Sequence, residues 1–510
     1  MVKQIKFGVI ITYIGTLINL LTGLLITPIT LRLFGQEEYG LYALAMSIMG
    51  MLFLFDFGFS NAVIKYATKF KEKNDEKGYQ NTMAMFLLLY SIIGIILFVC
   101  AVIMSLQADK IFAKGLSVEE IERFKDMLII VAINLAVSFP LKLFSGVIVA
   151  HERFIFSKVV NLIRFIVNPL TILSVLYMGY TSIVVLAAIT IVSIFLSLLD
   201  VYYCIVILKL KIKLHKVDFQ LLKEIASYSL WVFVAGLADI IYTRTDIFVL
   251  GALVNAREVA VYHIADVINS LFNKLTMVLS GFLLPKLVKM ITNQVSNRQI
   301  DNIFIKISRI QFFLAALVIT GFISVGHEFI VLWAGPDYHL AYWVALLIIS
   351  SRFIPIVQVL ATSILQAKNQ HVFQSKLYLV VAVFNLLISI PLAMMYGVIG
   401  AAIGTVIGKI INTVVMNIYY VRIGIDMKRY SKEVFILFIP MVTMGLLGYL
   451  LKSFFHVSNM IDVFIFAVAF SVIYGWIMFR FYMNDGEKRF IINSYHKRFS
   501  KKEDPKKRCI

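Results

Sequence analysis

"MAMFLLLYSIIGIILFVCAVIM", Met83 to Met104, contains no charged residue and has no polar side in any register. A half-buried strand alternates polar and apolar residues, and the strands of a membrane barrel do so over ~10-residue stretches. This stretch is apolar on every face, so it is read as a helix. In that form it crosses the hydrocarbon core of a bilayer, which takes about 20 residues. Similar runs recur from Phe7 to Tyr482 with short polar breaks. They place spans near 8–33, 40–65, 82–107, 126–150, 159–178, 182–207, 228–253, 259–286, 306–332, 341–366, 373–396, 398–422, 433–453 and 460–482. The expected fold class is all-α, a polytopic membrane protein with about 14 transmembrane helices.

Composition agrees with that reading. Of 510 residues, 60% are hydrophobic and 15% charged, with a mean hydropathy of +0.89. A soluble protein of this length has no core large enough for so much apolar surface. The N-terminus, "MVKQIKFGVIITYIGTLINLLTGLLITPITL", puts basic residues before an apolar run too long for a signal peptide, with no small-residue cleavage site after it. It is read as a retained first span.

The net charge of +19 raises the question of nucleic acid, and the location of the bases answers it. Most of the 48 Lys and Arg fall on the side of the N-terminus, in clusters such as "KFKEKNDEK" (Lys69 to Lys77), "KLKIKLHK" (Lys209 to Lys216) and "HKRFSKKEDPKKR" (His496 to Arg508). This is the positive-inside bias, with both termini cytoplasmic and anionic membrane lipids as partners. No aromatic-basic platform accompanies the charge, so nucleic acid is not expected. Cys100, Cys204 and Cys509 make no disulfide framework. No Cys/His cluster, H-E-x-x-H or G-x-S-x-G is present, so neither metal nor cofactor nor enzyme chemistry is called for; His151-Glu152 and His327-Glu328 are read as interfacial pairs. Ser117-Val-Glu-Glu120 has the pattern of a capping box opening a short amphipathic surface helix.

An internal repeat organises the chain. Leu33 to Ile48 lies over Leu253 to Ile268 with Glu38/Glu258, Tyr42/Tyr262 and Ala45/Ala265 in register. At nearly the same shift Ser157-Lys158 falls on Ser375-Lys376, and Gly179 on Gly397. Six spans per copy give two parallel six-helix lobes plus two C-terminal helices, one of the known transporter plans. The expected divisions are 1–223 and 224–426 for the lobes, 427–483 for the last two helices and 484–510 for a basic tail. Gly400-xxx-Gly404-xxx-Gly408 is read as close helix packing, since the spacing of a nucleotide loop fails.

Charged residues inside spans are the functional signal, because each costs on the order of 3 kcal/mol at mid-membrane. The cations are Lys142, Arg164, Arg244, Lys274, Arg352 and Lys409. Lys274, Arg352 and Lys409 lie near the midplane by position, and Arg164 with Asp56 is expected to reach for the headgroups. The acids are Asp56, Asp239, Asp246 and Asp266. Asp239 and Asp246 share a helix face from which Arg244 points away. Asp266, Asn269, Asn273 and Lys274 form a polar stripe, so spans seven and eight are read as the wall of a wet cavity. Bases outnumber these acids, and the surplus suits an anion. Pairing across helices is the competing reading.

"LITPITLRLFGQEEYGLYALA", "FDFGFSNAVIKYAT", "FSGVIVAHERFIFSKVVNLI" and "TDIFVLGALVNAREVAVYHIADVI", in this order and spacing, resemble bacterial polysaccharide-export proteins. These are the lipid-linked oligosaccharide flippases of the multidrug/oligosaccharidyl-lipid/polysaccharide exporter superfamily. The resemblance implies two six-helix lobes that alternate between inward- and outward-open states, and a cationic cavity for an undecaprenyl-diphosphate-linked oligosaccharide. It also implies a lipid groove made with the last two helices, and polysaccharide assembly proteins as further partners. On that basis Lys274, Arg352, Lys409, Arg244, Lys142 and Arg164 are candidates for binding substrate, and Asp239, Asp246, Asp266 and Asp56 for ion coupling. The rivals are a drug/cation antiporter, which needs acid-lined cavities, and a membrane glycosyltransferase or polymerase, which needs a catalytic acid and larger loops.

Overall fold

The computed structural model describes residues 2–56, 58–276, 290, 295–368, 370–455 and 457–488, and no β-strand occurs among them. The first helices are α1 (Val2–Phe34), α2 (Gln36–Leu52), α3 (Phe59–Glu72), α4 (Glu76–Leu106), α5 (Ala108–Ile111) and α6 (Val118–Ala150). They are followed by α7 (Phe154–Tyr177), α8 (Ser182–Tyr202), α9 (Phe219–Leu253) and α10 (Ala256–Thr276). The remainder comprises α11 (Asn297–Ala334), α12 (Leu340–Val357), α13 (Val359–Ala367), α14 (His371–Arg422), α15 (Met427–Val434), α16 (Phe438–Phe454) and α17 (Met460–Ile477). Among the described residues, ten helical stretches are long and apolar enough to cross a membrane. One of them, Val372–Arg422, has 51 residues and bends where Gly397 takes φ 59°. Unbent, it would run ~75 Å, more than twice the ~30 Å hydrocarbon core. The chain is a multi-pass membrane protein. The end of the expected span 259–286 and most of the basic tail, from residue 489, lie outside the described residues.

Two local expectations change. The Ser117 capping box is present, Glu120 N donating to Ser117 Oγ at 3.3 Å and Ser117 N to Glu120 Oε2 at 2.8 Å. It opens the 33-residue α6, not a short surface helix, because no breaker separates Glu120 from the apolar run that follows. The second span, read as continuous over 40–65, is broken between α2 and α3, where Gly58 adopts φ 67°.

The duplication reappears as two copies of the same fastenings. Glu38 on α2 accepts from the backbone N, at 3.3 Å, and the hydroxyl of Ser182, which begins α8. Glu258 on α10 accepts from Val398 N at 2.7 Å, in the first turn after Gly397. Gly179 and Gly397 precede these helix starts with left-handed φ of 81° and 59°. At the opposite ends of the same helices Phe156 stacks on Tyr203 with centroids 3.9 Å apart, and Phe373 stacks on Tyr419 at 3.9 Å.

Packing divides the chain into two compact units, residues 1–267 with 375–408, and residues 268–374 with 409–510. The boundaries fall inside α10 and α14. Compactness therefore follows packing and not the order of the repeats. Within the first unit the starts of α2 and α10 press together. A Cβ on Gly40 would lie 1.9 Å from Ala256 O, so only glycine allows the approach. Beside it Arg257 Nη2 pairs with Glu37 Oε1 at 2.6 Å, and Tyr39 Oη meets His263 Nδ1 at 2.9 Å.

Candidate functional site

A cavity of about 200 Å³ opens in the first unit between α2, α6, α7 and α8. Its polar lining follows helical spacing. Asn134, Ser138, Lys142 and Ser145 share one face of α6, while Thr190, Ser193, Ser197 and Asp200 share one face of α8. Asn134 Nδ2 donates to Thr190 Oγ1 at 3.2 Å and so ties the two faces. Ser138 Oγ donates to Asn134 Oδ1 at 3.4 Å, Ser145 Oγ to Lys142 O at 3.2 Å and Ser197 Oγ to Ser193 O at 2.8 Å, which leaves their oxygens as acceptors.

Two cations from the sequence reading meet here. Lys142 Nζ lies 3.8 Å from Asp56 Oδ1 and 4.6 Å from the centroids of both Phe53 and Phe139. The ring faces flank the ammonium and attract it electrostatically. Asp56 is the residue freed by the break between α2 and α3, and Ser60 Oγ donates to its other oxygen at 3.1 Å. Arg164 comes from α7, and its buried Nε has no hydrogen-bond partner among the described residues. Arg164 lines the cavity, and Asp56 pairs with Lys142 beside it. Asp200 is 8% exposed and faces the same space, and sequence reasoning passed it over. Its signal was the Ser193, Ser197, Asp200 spacing near the end of span six. With Asp200 and Asp56 counted, acids match bases around this cavity.

The other candidates lie apart. Arg244 Nη1 is 3.7 Å from Asp266 Oδ2, joining α9 to α10. Asp246, 3% exposed, accepts from the hydroxyls of Tyr262 and Thr405. Asn385 Nδ2 then donates to Thr405 Oγ1 at 3.3 Å, and Ser389 Oγ to Asn385 Oδ1 at 2.9 Å. This buried chain is possible because Gly404 lets the arms of α14 approach; a Cβ there would lie 2.3 Å from Ser389 Oγ. One carboxylate among hydroxyl and amide oxygens suits a proton or a hard monovalent cation better than a transition metal. The side chain of Asp239 lies outside the described residues. Lys274, Arg352 and Lys409 belong to the second unit. Lys274 is exposed and Lys409 is buried, while the buried Nε of Arg352 has no hydrogen-bond partner among the described residues. None of the three lines the cavity above.

Comparison with known proteins adds the following. The profile of a family described as "Polysaccharide biosynthesis protein" matches residues 5–291. Over 259 residues the chain is 20% identical to the "probable low-salt glycan biosynthesis flippase Agl15" of Haloferax volcanii, a match covering 50% of this chain and 54% of that protein. The chain thus spans about half the length of that curated relative. A solved structure titled "Lipid II flippase MurJ, inward closed conformation" superposes with a TM-score of 0.73 at 16% identity, covering 93% of this chain and 98% of the other. An inward-facing multidrug resistance MATE family transporter follows with a TM-score of 0.65 at 15% identity, covering 82% and 95%. Both likenesses are likenesses of fold.

Proposed function

Because this chain belongs to the polysaccharide biosynthesis protein family, we propose that it flips a lipid-diphosphate-linked oligosaccharide, on an undecaprenyl carrier, from the cytoplasmic to the outer leaflet of the bacterial inner membrane. It does so by alternating access between lobes of residues 1–223 and 224–426, with both termini cytoplasmic, helices in 427–483 serving the lipid tail, and no covalent chemistry of its own. The observation that carries this reading is the cavity bearing Lys142 and Arg164 among serine hydroxyls within membrane-spanning helices. Unpaired polar groups of a sugar cost several kcal/mol each in hydrocarbon. A wet, hydroxyl-lined interior removes that barrier, and the two cations attract phosphate through charge-assisted hydrogen bonds. Lys274, Arg352, Lys409 and Arg244 are further candidates for binding the substrate. Asp246, with Asp56, Asp239 and Asp266 as further candidates, takes the coupling ion, and differential affinity of the two conformers gives direction.

The test is leaflet exposure of a labelled lipid-linked oligosaccharide in proteoliposomes. A charge-assisted hydrogen bond contributes ~1.5–3 kcal/mol, so Lys142→Ala and Arg164→Ala should each slow translocation by roughly tenfold to a hundredfold. Wild-type rates in both variants would remove the cavity from the route. The drug/cation antiporter stays as the second reading because Asp200 and Asp56 balance the bases here. Exchange of an organic cation for protons without movement of the glycolipid would put it first.

A further inference from the structure

A second cavity, of about 350 Å³, lies where α3, α4, α6 and α8 end on one side of the molecule. Lys71 and Asn74 close it from the α3–α4 turn, Tyr79 from the first turn of α4 and His151 from the cap of α6. Lys209 and Lys211 reach it from the extended segment after α8. That segment is fixed in place. Asn81 Oδ1 accepts from His215 N at 2.8 Å and Lys216 N at 3.0 Å, and its Nδ2 donates to Lys216 O at 2.8 Å. Leu210 N returns to Cys204 O at 2.9 Å. Asn74 and Lys209 hold left-handed φ of 52° and 53°, bends that aim both into the rim. The concavity is built before any ligand arrives, which lowers the ordering cost of binding.

Its chemistry is that of an anion site. The acids at the rim are already engaged: Asp75 Oδ1 caps Gly78 N at 2.8 Å, and Glu76 Oε1 accepts from Gln80 at 3.3 Å and lies 3.9 Å from Lys211 Nζ. Lys71 and Lys209 form no ion pair among the described residues. Burial foremost, with Lys71 and Arg153 pushing the same way against the Val147 carbonyl, holds His151 below the ordinary histidine value. Asn74 and His151 add a side-chain amide and an imidazole to the lining. In the topology proposed above, helix ends at this level meet phospholipid headgroups, and at ~30 Å³ per water the space holds a phosphoglycerol group with solvent to spare.

We propose that this cavity binds the phosphate of an anionic glycerophospholipid headgroup, with Lys71 and Lys209 supplying the charge. The site is separate from the cavity assigned to the carried substrate, though the carried lipid's diphosphate offers related chemistry.

The experiment is capture of a photoreactive phosphatidylglycerol by the full chain in phosphatidylcholine nanodiscs, mapped by mass spectrometry. Label is expected on peptides carrying Tyr79 and Lys209, falling roughly fivefold for Lys71→Ala and for Lys209→Ala. Lys213→Ala, on the same segment outside the cavity, should leave capture unchanged. Equal losses from Lys209→Ala and Lys213→Ala would mean diffuse attraction and overturn the site. Competition separates the two sources: unlabelled phosphatidylglycerol should displace the probe. Displacement by undecaprenyl diphosphate alone would overturn the headgroup assignment. Neither result bears on the translocation assay of Lys142 and Arg164 variants, so the two proposals fail independently.

Discussion

Asp246 sits where water cannot help it, and two hydroxyls from neighbouring helices, Tyr262 and Thr405, do the solvating. Its low exposure makes that dependence sharp, because a buried carboxylate deprived of a donor pays the desolvation cost in full. Thr405→Val keeps the shape and removes the donor. It should destabilise the protein by ~1–3 kcal/mol, read as a lower melting temperature of the purified protein in detergent. In an Asp246→Asn background the same change should cost measurably less, since contacting residues couple. An unchanged melting temperature for Thr405→Val would refute the bond. The sequence revealed that Asp239, Arg244 and Asp246 ride one membrane helix, and why this needs explaining. It could not reveal their partners, because Asp266, Tyr262 and Thr405 come from other helices and nothing in one helix's pattern names them. Asp200 escaped notice for a related reason: near a span's end a carboxylate reads as a headgroup contact, and only the packing of α6 on α8 turns it inward.

At the scale of the element, a glutamate from one helix caps the start of another. Glu258 takes Val398 N just past the Gly397 bend, and Glu38 does the same for Ser182. The acceptor and its negative charge both suit a helix N-terminus. Glu258→Gln retains an oxygen acceptor and should lose only ~0.3–1 kcal/mol of dipole stabilisation. Glu258→Ala also loses the cap, ~0.5–2 kcal/mol. The two variants should rank in that order in thermal melts; equal losses would show that the cap bond contributes nothing. The matches Glu38/Glu258 and Gly179/Gly397 were visible in the sequence as a repeat, while their shared job as cap and bend emerges only in three dimensions. The break near Gly58 was hidden because Asp56-Phe57-Gly58 interrupts an apolar run too briefly to disturb its hydropathy. It nevertheless delivers Asp56 to Lys142.

At the scale of the whole molecule, the starts of α2 and α10 close one end of the first unit, the outer end in the topology proposed above. The Glu37–Arg257 pair is more than half exposed on both sides, and pairs of that kind contribute little stability. Its value is positional. With Cys100, Cys204 and Cys509 replaced, a Glu37→Cys, Arg257→Cys protein should cross-link under oxidation and lose nearly all translocation, with reductant restoring it. Transport that survives full cross-linking would show that this end need not open. Residues 37 and 257 also occupy equivalent places in the two repeats. Had the ancestor been a symmetric pair of single-repeat chains meeting at this point, each copy would have offered its partner the same residue, a carboxylate against a carboxylate or a guanidinium against a guanidinium. Fusion of such copies into one chain would release that position from its own reflection and let opposite charges meet where two identical chains could place only like side chains.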